Sequence, residues 1–108
     1  MADEQSGVFR ALADATRRQI LQDLRDGELS AGEIVARFTI SGPSISRHLT
    51  VLKAAGLVTE RREANRIYYS LVPERLAVSV GNFLSVVCPE QVVLRQRRAK
   101  TTRAGSRT

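Results

Sequence analysis

The apolar positions of the chain fall into stretches of two different periods, and the change between them divides the sequence. Val8, Phe9, Leu12 and Ala13 form a short stripe at helical spacing. Asp14 then reads as an N-cap, its carboxylate accepting from the free N–H groups of a second helix from Ala15 to about Arg25. That helix buries Ile20, Leu21 and Leu24, and Gly27 is expected in the left-handed position just past its last turn. Ser30-Ala31-Gly32-Glu33 has the form of a capping box and opens a third helix with Ile34, Val35 and Phe38 inward. Ser41 caps a fourth helix, whose first turn accepts Pro43 because an N–H there has no helical partner anyway. This helix runs to about Ala55 and ends at Gly56. Only Thr39 and Ile40 separate it from the third, the outline of a helix-turn-helix.

Beyond Gly56 the period becomes two. Leu57–Glu63 and Arg66–Leu71 read as strands, the second with Ile67, Tyr69 and Leu71 on one face and Tyr68 and Ser70 on the other. Ala64-Asn65 suits the reversal, Asn being the residue that tolerates positive φ. Pro73 opens a last helix with Leu76, Val80, Phe83, Leu84 and Val87 in one stripe, ended or kinked at Pro89. A further helical stretch from Glu90 to about Arg97 fits the pattern. The expected fold is mostly α: a winged helix-turn-helix of about five helices with a two-stranded wing over residues 1–94. A basic tail without ordered structure follows over 95–108.

Composition agrees with one small domain. A chain of 108 residues builds a modest core, to which an apolar surface shared with a second chain would add. The stripe of the last helix, at near-heptad spacing, supports such a helix–helix interface. No apolar run is long enough for a signal segment or a membrane span, so a cytoplasmic protein is expected. The single cysteine, Cys88, excludes an internal disulfide framework. The net charge of +6 changes the picture only once it is mapped. Arg95, Arg97, Arg98, Lys100, Arg103 and Arg107 lie in the tail with no acidic residue, which leaves residues 1–94 formally neutral. Within that body, residues 1–36 carry −3 and residues 37–66 carry +4. The basic middle is where an electrostatic footprint for a polyanion belongs.

At about 100° per residue, Ile45, Leu49 and Leu52 share the core face of the fourth helix. Pro43, Arg47, Thr50 and Ala54 fall opposite, flanked by Ser46 and Lys53 on one side and Ser44 on the other. A helix entering a major groove needs such a face, small enough for close approach and carrying an Arg able to pair with guanine. The same small polar face also suits an ordinary solvated helix. His48 lies beside the core face, and reads as a packed side chain donating to a phosphate or carbonyl rather than a metal ligand. Arg61, Arg62 and Arg66 surround the hairpin tip with Asn65, where they can straddle phosphates or simply solubilise the edge. The candidate DNA-contacting set is Ser41, Pro43, Ser44, Ser46, Arg47, His48, Thr50, Lys53, Arg61, Arg62, Asn65 and Arg66.

Three stretches also resemble a known family. Phe9-Arg10-Ala11-Leu12-Ala13-Asp14-Ala15-Thr16-Arg17-Arg18-Gln19-Ile20-Leu21 is similar to the opening motif of the ArsR/SmtB family of bacterial repressors. Ser41–Leu49, followed by Val51-Leu52-Lys53 and Ala55-Gly56-Leu57-Val58, resembles its recognition helix, and Arg66–Leu71 its wing. Ala15 stands where the family often has Pro, and Asn65 where the wing tip often has Gly. The resemblance implies a winged-helix homodimer joined through its first and last helices, with Val8, Phe9, Leu12, Leu76, Val80, Phe83, Leu84 and Val87 as interface candidates. It also implies binding of double-stranded DNA at an inverted repeat, one half-site per chain, with Ser44, Ser46, Arg47 and His48 at the DNA.

The departure concerns sensing. Metal-responsive members carry a cysteine pair in the third helix or His and acidic ligands in the last. Here the first stretch reads Glu28-Leu29-Ser30-Ala31-Gly32-Glu33-Ile34, and the last helix holds no His. No metal, no other cofactor and no membrane partner are expected, and the effector is left open. The expectation is an autoregulatory repressor. Two alternatives stand beside it: a winged-helix module that binds protein, and a redox-responsive repressor working through Cys88. No carboxylate pair with a His, Gly-rich phosphate loop or nucleophile beside a base is present, so no enzyme is expected.

Overall fold

The computed structural model describes residues 2–92 and 95, so the expectations for 96–108 lie outside the described residues. The described elements follow in the order α1 (Ala2–Leu12), α2 (Ala15–Asp23), a 3-10 turn (Leu24–Asp26), β1 (Leu29–Ser30), α3 (Ala31–Val35), α4 (Gly42–Ala54), β2 (Val58–Glu63), β3 (Arg66–Leu71) and α5 (Pro73–Val87). The fold is a mostly helical winged helix-turn-helix. The chain divides into two compact units, one running through Leu76 and one starting at Ala77, so α5 begins in the first and continues in the second.

In the first unit the core gathers one or more residues from almost every element. Val8, Ala11, Ile20, Leu24, Ile34, Ile45, Leu49, Leu52, Leu57, Val58 and Tyr69 are buried, with Leu12, Phe38, Ile67, Leu71 and Leu76 packed against them. Ile45, Leu49 and Leu52 of α4 are the inward row that the helical spacing predicts. Truncating such a residue to Ala typically costs about 2–5 kcal/mol, so this row is what holds the opposite face of α4 toward solvent.

The helix ends follow the local chemistry. Asp14 accepts from the Arg17 N–H at 3.0 Å. Ser30 and Glu33 form the complete capping box, with the Glu33 N–H on Ser30 Oγ at 3.1 Å and the Ser30 N–H on Glu33 Oε1 at 2.8 Å. α4 closes in a Schellman motif: Leu57 N–H reaches Leu52 O and Gly56 N–H reaches Lys53 O, both at 3.0 Å. Gly56 takes φ 78°, and a Cβ there would also meet the Arg75 guanidinium at 3.1 Å.

Four expectations are corrected. The sheet has three strands in the order β1-β3-β2, because Leu29 and Ser30 pair antiparallel with Tyr69 and Tyr68. A two-residue strand is too short to show a period. The second helix stops at Asp23 in a 3-10 turn, and Gly27 adopts φ 148°, ψ 172°, a region open essentially to Gly alone, instead of the left-handed helical one. At the β2–β3 hairpin, Glu63 faces Arg66 across a two-residue loop, and Ala64, not Asn65, carries the positive φ of 56°. A two-residue turn with positive φ at its first position matches the strand twist wherever the side chain tolerates it. Finally, Val8 is fully buried within the single chain, so its side chain has no surface left to offer a second chain.

In the second unit, Phe83, Leu84 and Val87 of the expected stripe are exposed at 50%, 37% and 59%, alongside Val78 and Val86. Among the described residues no helix is long and apolar enough to cross a membrane.

Candidate nucleic-acid interface

The outward face of α4 is built from the cap downward. Ser41 Oγ accepts the Ser44 N–H at 3.3 Å and donates to Ser44 Oγ at 3.1 Å, so both hydroxyls begin by ordering the first turn. Thr50 Oγ donates to the Ser46 carbonyl at 3.0 Å and keeps only acceptor capacity for a ligand. Pro43, Ser46, Arg47, Thr50 and Lys53 are exposed, whereas Ser44 and His48 are half-buried on one flank. Among the described residues, the Arg47 side chain makes no hydrogen bond or ion pair.

The basic residues of 37–66 separate into two groups. Arg37 lies 3.8 Å from Asp23, and Lys53 Nζ lies 2.8 Å from Glu60 Oε1. Arg61 is held by Glu28 and Glu63 and lies 4.5 Å from the Tyr68 ring centroid. Those hydrogen bonds, Glu28 first, raise the Arg61 pKa further, and the bond from Arg61 lowers that of Glu28. Lys53 likewise lowers the Glu60 carboxyl, while burial pushes the Tyr69 phenol up. Arg47, Arg62 and Arg66 are exposed and, among the described residues, their side chains form no hydrogen bond or ion pair. Residue type and spacing give all six the same appearance; what separates them is carboxylates brought in from Asp23, Glu28, Glu60 and Glu63 by the fold.

Strand alternation sorts the wing as well. Val58, Glu60 and Arg62 share one face of β2. The buried Val58 and the Lys53–Glu60 contact mark that face as the one toward α4, and Arg62 extends it toward the tip. Arg61 lies on the other face, opposite Tyr68 and beside Glu63.

His48 connects α4 to the α1–α2 turn. Its Nδ1 lies 3.3 Å from Arg17 Nη1 and 3.8 Å from Asp14 Oδ2. The backbone hydrogen bond from Arg17 lowers the Asp14 carboxyl below its ordinary value, and the Arg17 charge adds to it. Arg17 also donates through Nε to Ala11 O at 2.8 Å and through Nη2 to Arg10 O at 2.9 Å, and Arg18 Nη1 donates to Leu12 O at 2.7 Å. Two arginines therefore satisfy the open carbonyls at the end of α1. Sequence reasoning missed both, although basic side chains within a few residues of a helix C-terminus are the signal for this role. Among the described residues, no three His, Cys, Asp or Glu side chains converge to hold a metal ion.

Comparison with known proteins bears on this arrangement. A helix-turn-helix domain model matches residues 12–61. The chain is 43% identical over 82 residues to the transcriptional repressor SdpR of Bacillus subtilis (strain 168), spanning 76% of this chain and 91% of that protein. It is 35% identical over 91 residues to the biofilm growth-associated repressor of Agrobacterium fabrum, spanning 83% of this chain and 78% of that one. Among solved structures, an ArsR-like transcriptional regulator from Rhodococcus sp. RHA1 superposes with a TM-score of 0.70 at 28% identity, covering 95% of this chain and 93% of that one.

Proposed function

Because the chain belongs to the ArsR family of winged helix-turn-helix transcriptional regulators, proteins that bind DNA and are not enzymes, we propose that it represses transcription as a homodimer on an inverted-repeat operator. One α4 enters the major groove of each half-site, and the hairpin lies along the adjoining backbone. The observation that carries this reading is Arg47: exposed, uncommitted, and set among Pro43, Ser46 and Thr50 on a face whose reverse is locked into the core. Arg62 and Arg66 supply phosphate contacts from the wing. The exposed Phe83, Leu84 and Val87 of α5 supply an apolar surface that a second chain covers, and Phe9 and Leu12 of α1 are separate interface candidates.

The repressor acts in the cytoplasm, with its own promoter among its targets. Its release does not depend on metal, because one histidine and one cysteine cannot furnish three or four soft ligands per chain. Selection from a random duplex library tests the reading. The expected product is an inverted repeat with half-sites about one helical turn apart, bound by two chains and unaffected by zinc or chelator. Failure to enrich any duplex, or enrichment of a single unpaired half-site, overturns it.

A further inference from the structure

One ring joins the turn after α1 to the DNA-facing helix, and the chemistry of its neighbour decides what that ring can do. A guanidinium donates only and keeps its protons in proteins, so the atom that Arg17 Nη1 meets at 3.3 Å must offer a lone pair. That atom is His48 Nδ1, which places the proton of the neutral ring on Nε2. The direction of Nη1 is not set by His48. Nε and Nη2 of the same planar fork are fixed on Ala11 O and Arg10 O, so the end of α1 aims the third nitrogen.

Among the described residues His48 Nε2 has no hydrogen-bond partner, and no buried side-chain polar atom lacks one. Nε2 therefore opens to solvent, through a side chain that is 20% exposed. It belongs to the flank of α4 that also carries Ser44, one turn earlier. A DNA phosphate is an acceptor without a donor. An Nε2–H facing it makes a charge-assisted hydrogen bond, whereas a bare Nε2 would set a lone pair against an anion.

Resting on the DNA-binding reading above, we infer that Arg17 is a positioning residue for DNA binding: it holds His48 in the tautomer that presents Nε2–H to a backbone phosphate. Asp14 is the competing neighbour, 3.8 Å from Nδ1, and it would draw the proton inward if the guanidinium were gone.

The test uses the full chain, with the duplex enriched from a random library as probe. Ring-nitrogen NMR above the titration range of histidine reads the tautomer directly, without DNA. The native chain shows Nε2–H, and Arg17→Leu moves the proton toward Nδ1. In binding, His48→Asn keeps a polar group near the Nδ1 position only, whereas the amide of His48→Gln reaches the Nε2 position. Asn then costs about tenfold in affinity, as does Ala, and Gln restores all but about threefold of it. Circular dichroism confirms that each variant is folded. A native Nδ1–H tautomer, or equal affinities for the Asn and Gln variants, overturns the inference while leaving the repressor reading intact. A native chain that enriches no duplex defeats the DNA reading itself.

Discussion

Lys53 Nζ and Glu60 Oε1 stand 2.8 Å apart, and this contact joins the end of α4 to the first strand of the wing. It makes Lys53 a brace within the chain, although it lies on the flank of the proposed DNA face. Lys53→Ala is therefore expected to change DNA affinity by less than about threefold, since exposed pairs contribute little and the cation is already engaged. Glu60→Gln releases the ammonium. It should steepen the dependence of affinity on salt by about one ion, read from titrations at several ionic strengths.

Arg47 and Arg62 should fail in different ways. Arg47→Ala is expected to cost about 1–3 kcal/mol of discrimination between the selected duplex and a scrambled one, with most non-specific binding kept. Arg62→Ala should weaken both duplexes alike and flatten the salt slope by about one. Competition binding at two salt concentrations separates the outcomes, and loss of discrimination in Arg62→Ala would exchange the two assignments.

The apolar face of α5 is expected to hold two chains together. Phe83 is 50% exposed, and Phe83→Asp sets a charge within that apolar face. Sedimentation should show a monomer with native helical content and DNA affinity reduced about a hundredfold, as two linked half-site contacts become one.

Ala64 carries a side chain in a left-handed conformation at φ 56°. That conformation costs an L-residue about 1–2 kcal/mol, part of which Gly returns through its larger unfolded-state entropy. Ala64→Gly should raise stability by about 0.5–1 kcal/mol in urea titration, with DNA binding unchanged.

The capping box predicts a pH dependence of known sign. The Ser30 N–H lowers the Glu33 carboxyl from its ordinary 4.5, with a further contribution from the Ser30 side chain. Stability from this source is therefore full above pH 4.5 and drains away as pH falls through the lower folded value. The difference in denaturation midpoint between the native chain and Glu33→Gln should shrink over that interval and then vanish. Ser30→Ala should cost about 1 kcal/mol at neutral pH.

Much of this molecule is readable in its residues, for a local reason. The capping box, the Gly56 terminus and the row Ile45, Leu49 and Leu52 depend on neighbours within a few positions, so spacing reports them. The same holds for the two long strands, whose alternation spans six residues each. What escaped depends on partners distant in sequence. β1 is two residues long and exists because Tyr68 and Tyr69 pair with it. The commitment of Arg61 requires Glu28, thirty-three positions earlier. Arg17 meets His48 thirty-one positions on, and nothing in either local pattern announces it. The candidate DNA face was thus legible as a set of residue types, while the difference between an engaged and an available cation was not.

The guanidinium of Arg17 ties two carbonyls of α1 and one nitrogen of α4 into a single hydrogen-bonded unit. Displacing the end of α1 therefore disturbs the grip on His48, and fixing His48 against a phosphate steadies the end of α1. Linkage makes the two effects equal in free energy. A second chain or an effector that settles on α1 acquires leverage over α4 without touching it. The reciprocal signature is slower amide exchange at the α1–α2 turn once DNA is bound.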